Sequence, residues 1–124
     1  MNLENYLSSG DKARIIQEIV PGKQITLAHI IANPDKVLYY KLGLDPAEEH
    51  SGAIGILTLS PSETAIIAGD IAMKASGVTL GFVDRFSGSL IITGMISEVE
   101  NAMIEIMRYF KDELGFACCQ ISRR

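Results

Sequence analysis

The chain holds two histidines, two cysteines and fifteen carboxylates, and few of them stand at spacings that do chemistry. His29 falls in an apolar run and His50 in a polar loop, which is no metal-ligand spacing. A lone strand histidine reads as a half-buried residue satisfied by a structural partner. Cys118 and Cys119 are adjacent rather than separated as C-x-x-C. On a strand, neighbouring side chains point to opposite faces, so the two thiols are expected to diverge, one to the core and one to the surface. No glycine-rich phosphate loop and no G-x-S-x-G elbow occurs. Asp84-Arg85 reads as a charged hairpin turn, and Lys74 as a last-turn lysine complementing a helix dipole. These residues point to no enzyme, no cofactor and no metal site.

The elements that position them are well punctuated. Residues 1–14 are polar and read as a flexible tail. Ile15-Ile16-Gln17-Glu18-Ile19-Val20 is a short β-rich run stopped by Pro21-Gly22, and Ile25 to Ile31 is a second strand. Asn33-Pro34 reads as the N-cap and first position of a short helix ending near Leu42, with Gly43 as its stop. After a loop over 44–52, Ala53 to Leu59 is a nearly all-apolar strand, which predicts burial on both faces. Ser60-Pro61-Ser62-Glu63 and Ser97-Glu98-Val99-Glu100 read as capping boxes opening two helices. The second places Val99, Ala102, Met103, Ile106, Met107, Phe110 and Leu114 at helical spacing. Between them, strands Val78–Asp84 and Ser89–Ile96 flank a tight turn, and Phe116 to Ser122 is a last strand. The fold class is α+β: a ferredoxin-like βαββαβ core over residues 53–122, preceded by a strand–helix unit and an extra N-terminal strand. That orphan strand needs its backbone groups paired, and other copies of the chain could supply the pairing.

Composition narrows the function. In 124 residues the hydrophobic share is 48%, charged residues make up only 21% and mean hydropathy is +0.23. A charged share below the usual quarter leaves more apolar surface than one small core hides, which suggests oligomerisation. The net charge of −4 and pI near 5.1 argue against nucleic-acid binding. No apolar run approaches the roughly 18 residues of a membrane span, and the N-terminal stretch does not read as a secretory signal. A reducing cytoplasm is the expected compartment, since two cysteines form no disulfide framework.

Three segments together resemble the circularly permuted bacterial microcompartment shell proteins of the ethanolamine- and propanediol-utilisation type. They are the run from Ile16 through Pro21-Gly22 to His29, the strand Ala53–Leu59 with Ser60-Pro61, and the hairpin Gly81-Phe82-Val83-Asp84-Arg85-Phe86-Ser87-Gly88. The resemblance spans residues 15–124 and implies one permuted shell domain, in which a strand and short helix that come last in ordinary members come first here. It implies a homo-hexamer that tiles with other shell proteins into a polyhedral wall around encapsulated enzymes, in the cytoplasm. It places Asp84, Arg85, Phe86, Ser87, Gly88 and Ser89 at the central pore, and Lys74 at edges between hexamers. Ile15, Ile16, Gln17, Glu18, Ile19 and Val20 would form one strand of a six-stranded β-barrel capping that pore. Six inward Glu18 carboxylates would repel one another, so Gln17 is expected inside and Glu18 outside. At the hexamer edge, Asn33 stands where ordinary members place an arginine before a proline, so the lateral contact is expected to differ. The pore turn contains no cysteine, so no iron–sulfur cluster is expected there. The alternative is an oligomeric small-molecule-binding regulatory module, which rests on fold analogy alone.

Overall fold

A computed structural model describes residues 22–44 and 52–124. The element order is β1 (Gln24–Ala32), α1 (Lys36–Leu42), β2 (Gly52–Ser60), α2 (Thr64–Ala75), β3 (Thr79–Asp84), β4 (Ser89–Met95), α3 (Ile96–Asp112), β5 (Ala117–Cys118) and β6 (Ser122–Arg123). One mixed sheet runs in the order β3-β4-β2-β1-β5, with β6 also pairing β1. β1, β2, β4 and β3 are mutually antiparallel neighbours, while β5 and β6 run parallel to β1. The α+β class and the βαββαβ order therefore hold, with β1 inserted between β2 and the C-terminal strands.

The period of two along β2 divides the molecule into layers. Ala53, Leu57 and Leu59 face one side and join Leu90, Ile92, Val99, Met103, Ile106 and Phe110 in the main core under α2 and α3. Ile54 faces the other side and packs with Tyr39 of α1 and Leu44 in a smaller cluster. This is the two-faced burial that an all-apolar strand predicts. Gly55 is needed for the close approach of α3: a Cβ there would lie 3.0 Å from both Ile92 Cγ1 and Val99 Cγ1.

Helix entries differ from the sequence expectations. α1 begins at Lys36, not after Asn33. Its N-cap is Asp35, whose Oδ1 accepts from Val37 N at 2.9 Å, while Asn33 adopts a positive φ of 51° and donates its N–H to Gly52 O. Asn tolerates the left-handed region, so it serves as the corner leaving β1, and Asp35 takes over the cap. Gly43 ends the helix in the left-handed region, as expected. The Ser60–Glu63 box does not form: the chain passes through a cis Ser60–Pro61 bond, and Thr64, Ala65 and Ile66 donate to the carbonyls of Pro61, Ser62 and Glu63. At α3 the N-cap is Met95 rather than Ser97, and Glu98 Oε1 reaches back to Met95 N at 3.0 Å. The reciprocal carboxylate is thus Glu98, two positions earlier than Glu100.

The expected strand over Phe116–Ser122 is two short ladders. A bulge in β1 between Ile25 and Leu27 changes which of its carbonyls face outward. Before it, Lys23 O and Ile25 O accept from Ala117 N and Cys119 N; beyond it, Ile30 O accepts from Arg124 N. The C-terminal segment changes phase to follow, and the ladder lapses across Gln120–Ile121. Ser122 Oγ satisfies Ala28 O at 3.2 Å in the gap. His29 Nδ1 lies 2.6 Å from the same Ser122 Oγ, which gives that histidine its structural partner.

Candidate functional site

Antiparallel pairing of Val83 with Leu90 and Asp84 with Ser89 closes β3 and β4 onto a four-residue turn. Asp84 organises it. Its Oδ1 accepts from Phe86 N at 2.9 Å, its Oδ2 from Ser87 Oγ at 2.8 Å, and its carbonyl from Gly88 N at 2.9 Å. The side chain mimics a backbone turn, the usual reason Asp opens tight loops. The Phe86 amide bond, first, and the Ser87 hydroxyl hold the carboxyl below the usual aspartate range. Ser89 Oγ lies 3.0 Å from Ser87 Oγ, and Gly88 turns the chain at φ 78°.

This network projects Arg85 and Phe86 outward. Phe86 is 79% exposed, and the Arg85 guanidinium carbon stands 4.8 Å from its ring centroid. The pair with Ile66, Val83 and Asp84 lines a cavity of about 260 Å³. Six sequence-selected residues, Asp84 to Ser89, are thus gathered at one sheet end around one carboxylate. The turn offers a cation, an aromatic ring and hydroxyls, but no paired general acid and base. It can recognise or exclude a solute; nothing in it is arranged to turn one over.

The other selected residues lie on other elements. Lys74, in the last turn of α2, is exposed and pairs with Asp70 at 2.9 Å one helical turn back. Asn33 is the exposed corner between β1 and α1. Ile15, Ile16, Gln17, Glu18, Ile19 and Val20 lie outside the described residues. Cys118 and Cys119 are both free and half-buried, and both residues line one open cavity of about 450 Å³. Among the described residues, no group of three or more His, Cys, Asp or Glu is placed to hold a metal ion.

Sequence reading missed how much apolar surface stays uncovered, and where. Val37 and Tyr40 on α1, Ile66, Ile67 and Met73 on α2, and Leu80, Phe82 and Val83 on β3 are all exposed. The buried face of α2 is Ala65, Ala68, Gly69 and Ala72. The small residues let α2 lie close to the sheet, and the large ones turn outward. Exposure of this kind along one helix and an edge strand marks an interaction surface. The signal available in the sequence was the doublet Ile66-Ile67, which no single helix face can bury.

A scan of family models matches residues 53–119 to the BMC domain. The chain belongs to the BMC family. The matched segment opens at β2, so β1 and α1 precede it in sequence although β1 lies inside the BMC sheet. The chain is 53% identical over 110 residues to the bacterial microcompartment shell protein CutR of Streptococcus intermedius, covering 89% of this chain and 91% of that protein. It is 51% identical over 113 residues to the bacterial microcompartment shell protein EutS of Salmonella typhimurium, covering 91% and 98%. Among solved structures, a CutR flat hexamer superposes with a TM-score of 0.77 at 45% identity, covering 89% of this chain and 99% of that one. A CutR screw with a 41.9 Å pitch gives 0.76 at 49% identity, covering 84% and 100%.

Proposed function

We propose that this chain is a structural wall component of a bacterial microcompartment, built as a homo-hexamer and packed beside other shell proteins around encapsulated enzymes, with no catalytic role of its own. The observation that carries the reading is identity at about half of all positions, over nine-tenths of the chain, to shell proteins, one of which forms a flat hexamer of the same fold. The uncovered apolar residues of α2 and β3 supply the surface such assembly requires. The regulatory-module alternative finds no relative to support it among these matches.

Within the hexamer, the Asp84–Ser89 turns gather at the six-fold axis and set which solutes approach it, with Arg85 and Phe86 as the projecting groups. Lys74 and the Asn33 corner serve the outer edges. The domain spans residues 15–124, and Ile15–Val20 contributes one strand to a barrel capping the axis. What supports these roles is the family resemblance of the segments, together with the outward projection of the turn and the exposure of Lys74.

Absolute mass in solution by light scattering tests the reading. Six copies of 13.5 kDa make about 81 kDa. That mass, or larger sheets or tubes that dissolve into it, is the expected result. A stable dimer or trimer removes the six-fold axis and overturns the reading.

A further inference from the structure

The end of the sheet that carries the Asp84–Ser89 turn is also the end at which the chain enters β1. Gln24 pairs with Ser60 on one side and with Ala117 on the other, and Leu59, next to Ser60, donates its N–H to Gly88 O in the turn. The segment before Gly22 therefore joins the fold on the turn's side of the molecule. β1 and β4 stand two strand spacings apart, about 10 Å. Four residues of extended chain reach at most about 13–14 Å. Glu18, four positions before Gly22, is thus within reach of the turn.

The turn offers a cation there. The Asp84 carboxylate is engaged inside the turn, by Phe86 N at 2.9 Å and Ser87 Oγ at 2.8 Å. Arg85 enters no ion pair among the described residues; the pairs that form are Lys74–Asp70, Arg108–Glu105 and Arg123–Glu100. The Phe86 ring, 4.8 Å away, steadies the guanidinium by stacking. Exposed Ile66, Val83 and Phe86 border it around the cavity of about 260 Å³. Lys23, also at this end of the sheet, stands 5.9 Å from the Phe116 ring on the β5 side, away from the turn.

From these observations we propose that the Arg85 patch is the seat of the chain's own segment Ile15–Val20, with the Glu18 carboxylate paired to Arg85 and Ile16 and Val20 against Phe86, Val83 and Ile66. In an extended strand Ile16, Glu18 and Val20 share one side, and Ile15, Gln17 and Ile19 share the other. One carboxylate between two aliphatic side chains matches one guanidinium among apolar ones. The inference rests on the proposed barrel over the six-fold axis and adds what fastens it. The outward side of each barrel strand is latched to a turn, while Gln17 keeps the lumen side. Six such pairs hold the cap down, and they must part before the axis opens.

The test is amide exchange of residues 15–20 in the full chain, read by mass spectrometry, with light scattering on the same samples. In the wild type these residues should exchange slowly. Arg85→Glu and Glu18→Arg each set like charges together, so each should speed that exchange by about threefold or more, and the double reversal should restore it. Wild-type exchange at the rate of a free peptide would overturn the latch. So would single reversals without effect, or a double reversal that exchanges as fast as either single. A second measurement needs no charge reversal: in Arg85→Lys, zero-length carbodiimide coupling should join position 85 to Glu18. Coupling to Glu4 or Glu63 in place of Glu18 would overturn the pairing. A wild-type dimer or trimer overturns the six-fold reading whatever the exchange shows. A hexamer of about 81 kDa in which the reversals leave residues 15–20 unchanged overturns the latch alone.

Discussion

Leu59 donates its N–H to the carbonyl of Gly88 at 2.8 Å, and a Cβ added to Gly88 would fall on the carbonyl oxygen of Leu59. The turn between β3 and β4 is thereby fastened to the end of β2, one strand beyond its own hairpin. Gly88 meets two demands at once: a φ of 78°, and backbone contact that leaves no room for a side chain. Gly88→Ala should cost about 1–3 kcal/mol, the range for a non-glycine residue held in a sparsely populated conformation, with the collision adding to it. Chemical denaturation measures the loss. An unchanged midpoint would show that the turn lifts off Leu59 without penalty.

The Asp84 carboxylate should titrate below the ordinary aspartate value of about 3.9. The Phe86 amide and the Ser87 hydroxyl both favour its charged form. A depressed carboxylate contributes order above its ordinary pKa and loses it as pH falls through the folded value. The turn should therefore stay intact through neutral and mildly acidic pH and loosen only in strong acid. The carboxyl carbon resonance, assigned by its loss in Asp84→Asn, gives the midpoint directly. A midpoint at or above the ordinary value would mean that the two donors do not engage the carboxylate in solution.

Phe110 is fully buried, with Phe116 packed edge-on against it at a centroid distance of 4.7 Å. Phe116 N donates to Phe110 O, so the same pair also fixes how α3 hands the chain to β5. Phe110→Ala should cost about 3–5 kcal/mol through lost burial and the cavity left behind. It should also loosen the C-terminal ladder on β1, read as faster amide exchange at Cys119 and Arg124. Destabilisation without faster exchange there would separate the core from the ladder.

The layer order was legible in the sequence because it rests on apolar spacing. Ala53–Leu59 has no polar residue but Thr58, and Val99 through Phe110 repeat at helical intervals, so β2 and α3 fall where the pattern puts them. Caps were less legible. Ser, Asn and Glu occur near several helix starts, and the caps fall to Asp35 and Glu98, each bonding a backbone N–H two or three residues away. The two-part C-terminal strand was not legible at all, since its cause is a bulge in β1, some ninety residues away in sequence. At the turn the sequence supplied the six residues, and the structure added the reason they hold together, which is the three bonds that Asp84 accepts.

Lys74 separates a fold role from an assembly role. Its bond to Asp70 is an exposed i,i+4 pair, worth about 0.3–0.5 kcal/mol, so Lys74→Ala should leave the denaturation midpoint nearly unchanged. If Lys74 lies at the edge between hexamers, the same variant should keep the mass of about 81 kDa in light scattering yet lose larger sheets or tubes under the electron microscope. Lys74→Arg keeps the charge but adds bulk and a planar head. It should restore assembly if attraction alone matters, and fail if the edge needs a compact ammonium in a fitted geometry. Loss of the hexamer itself in Lys74→Ala would move the residue from the outer edge to the contact between subunits. Sheets of normal extent would return it to the bland role its exposure allows, a helix-end lysine balancing the dipole of α2.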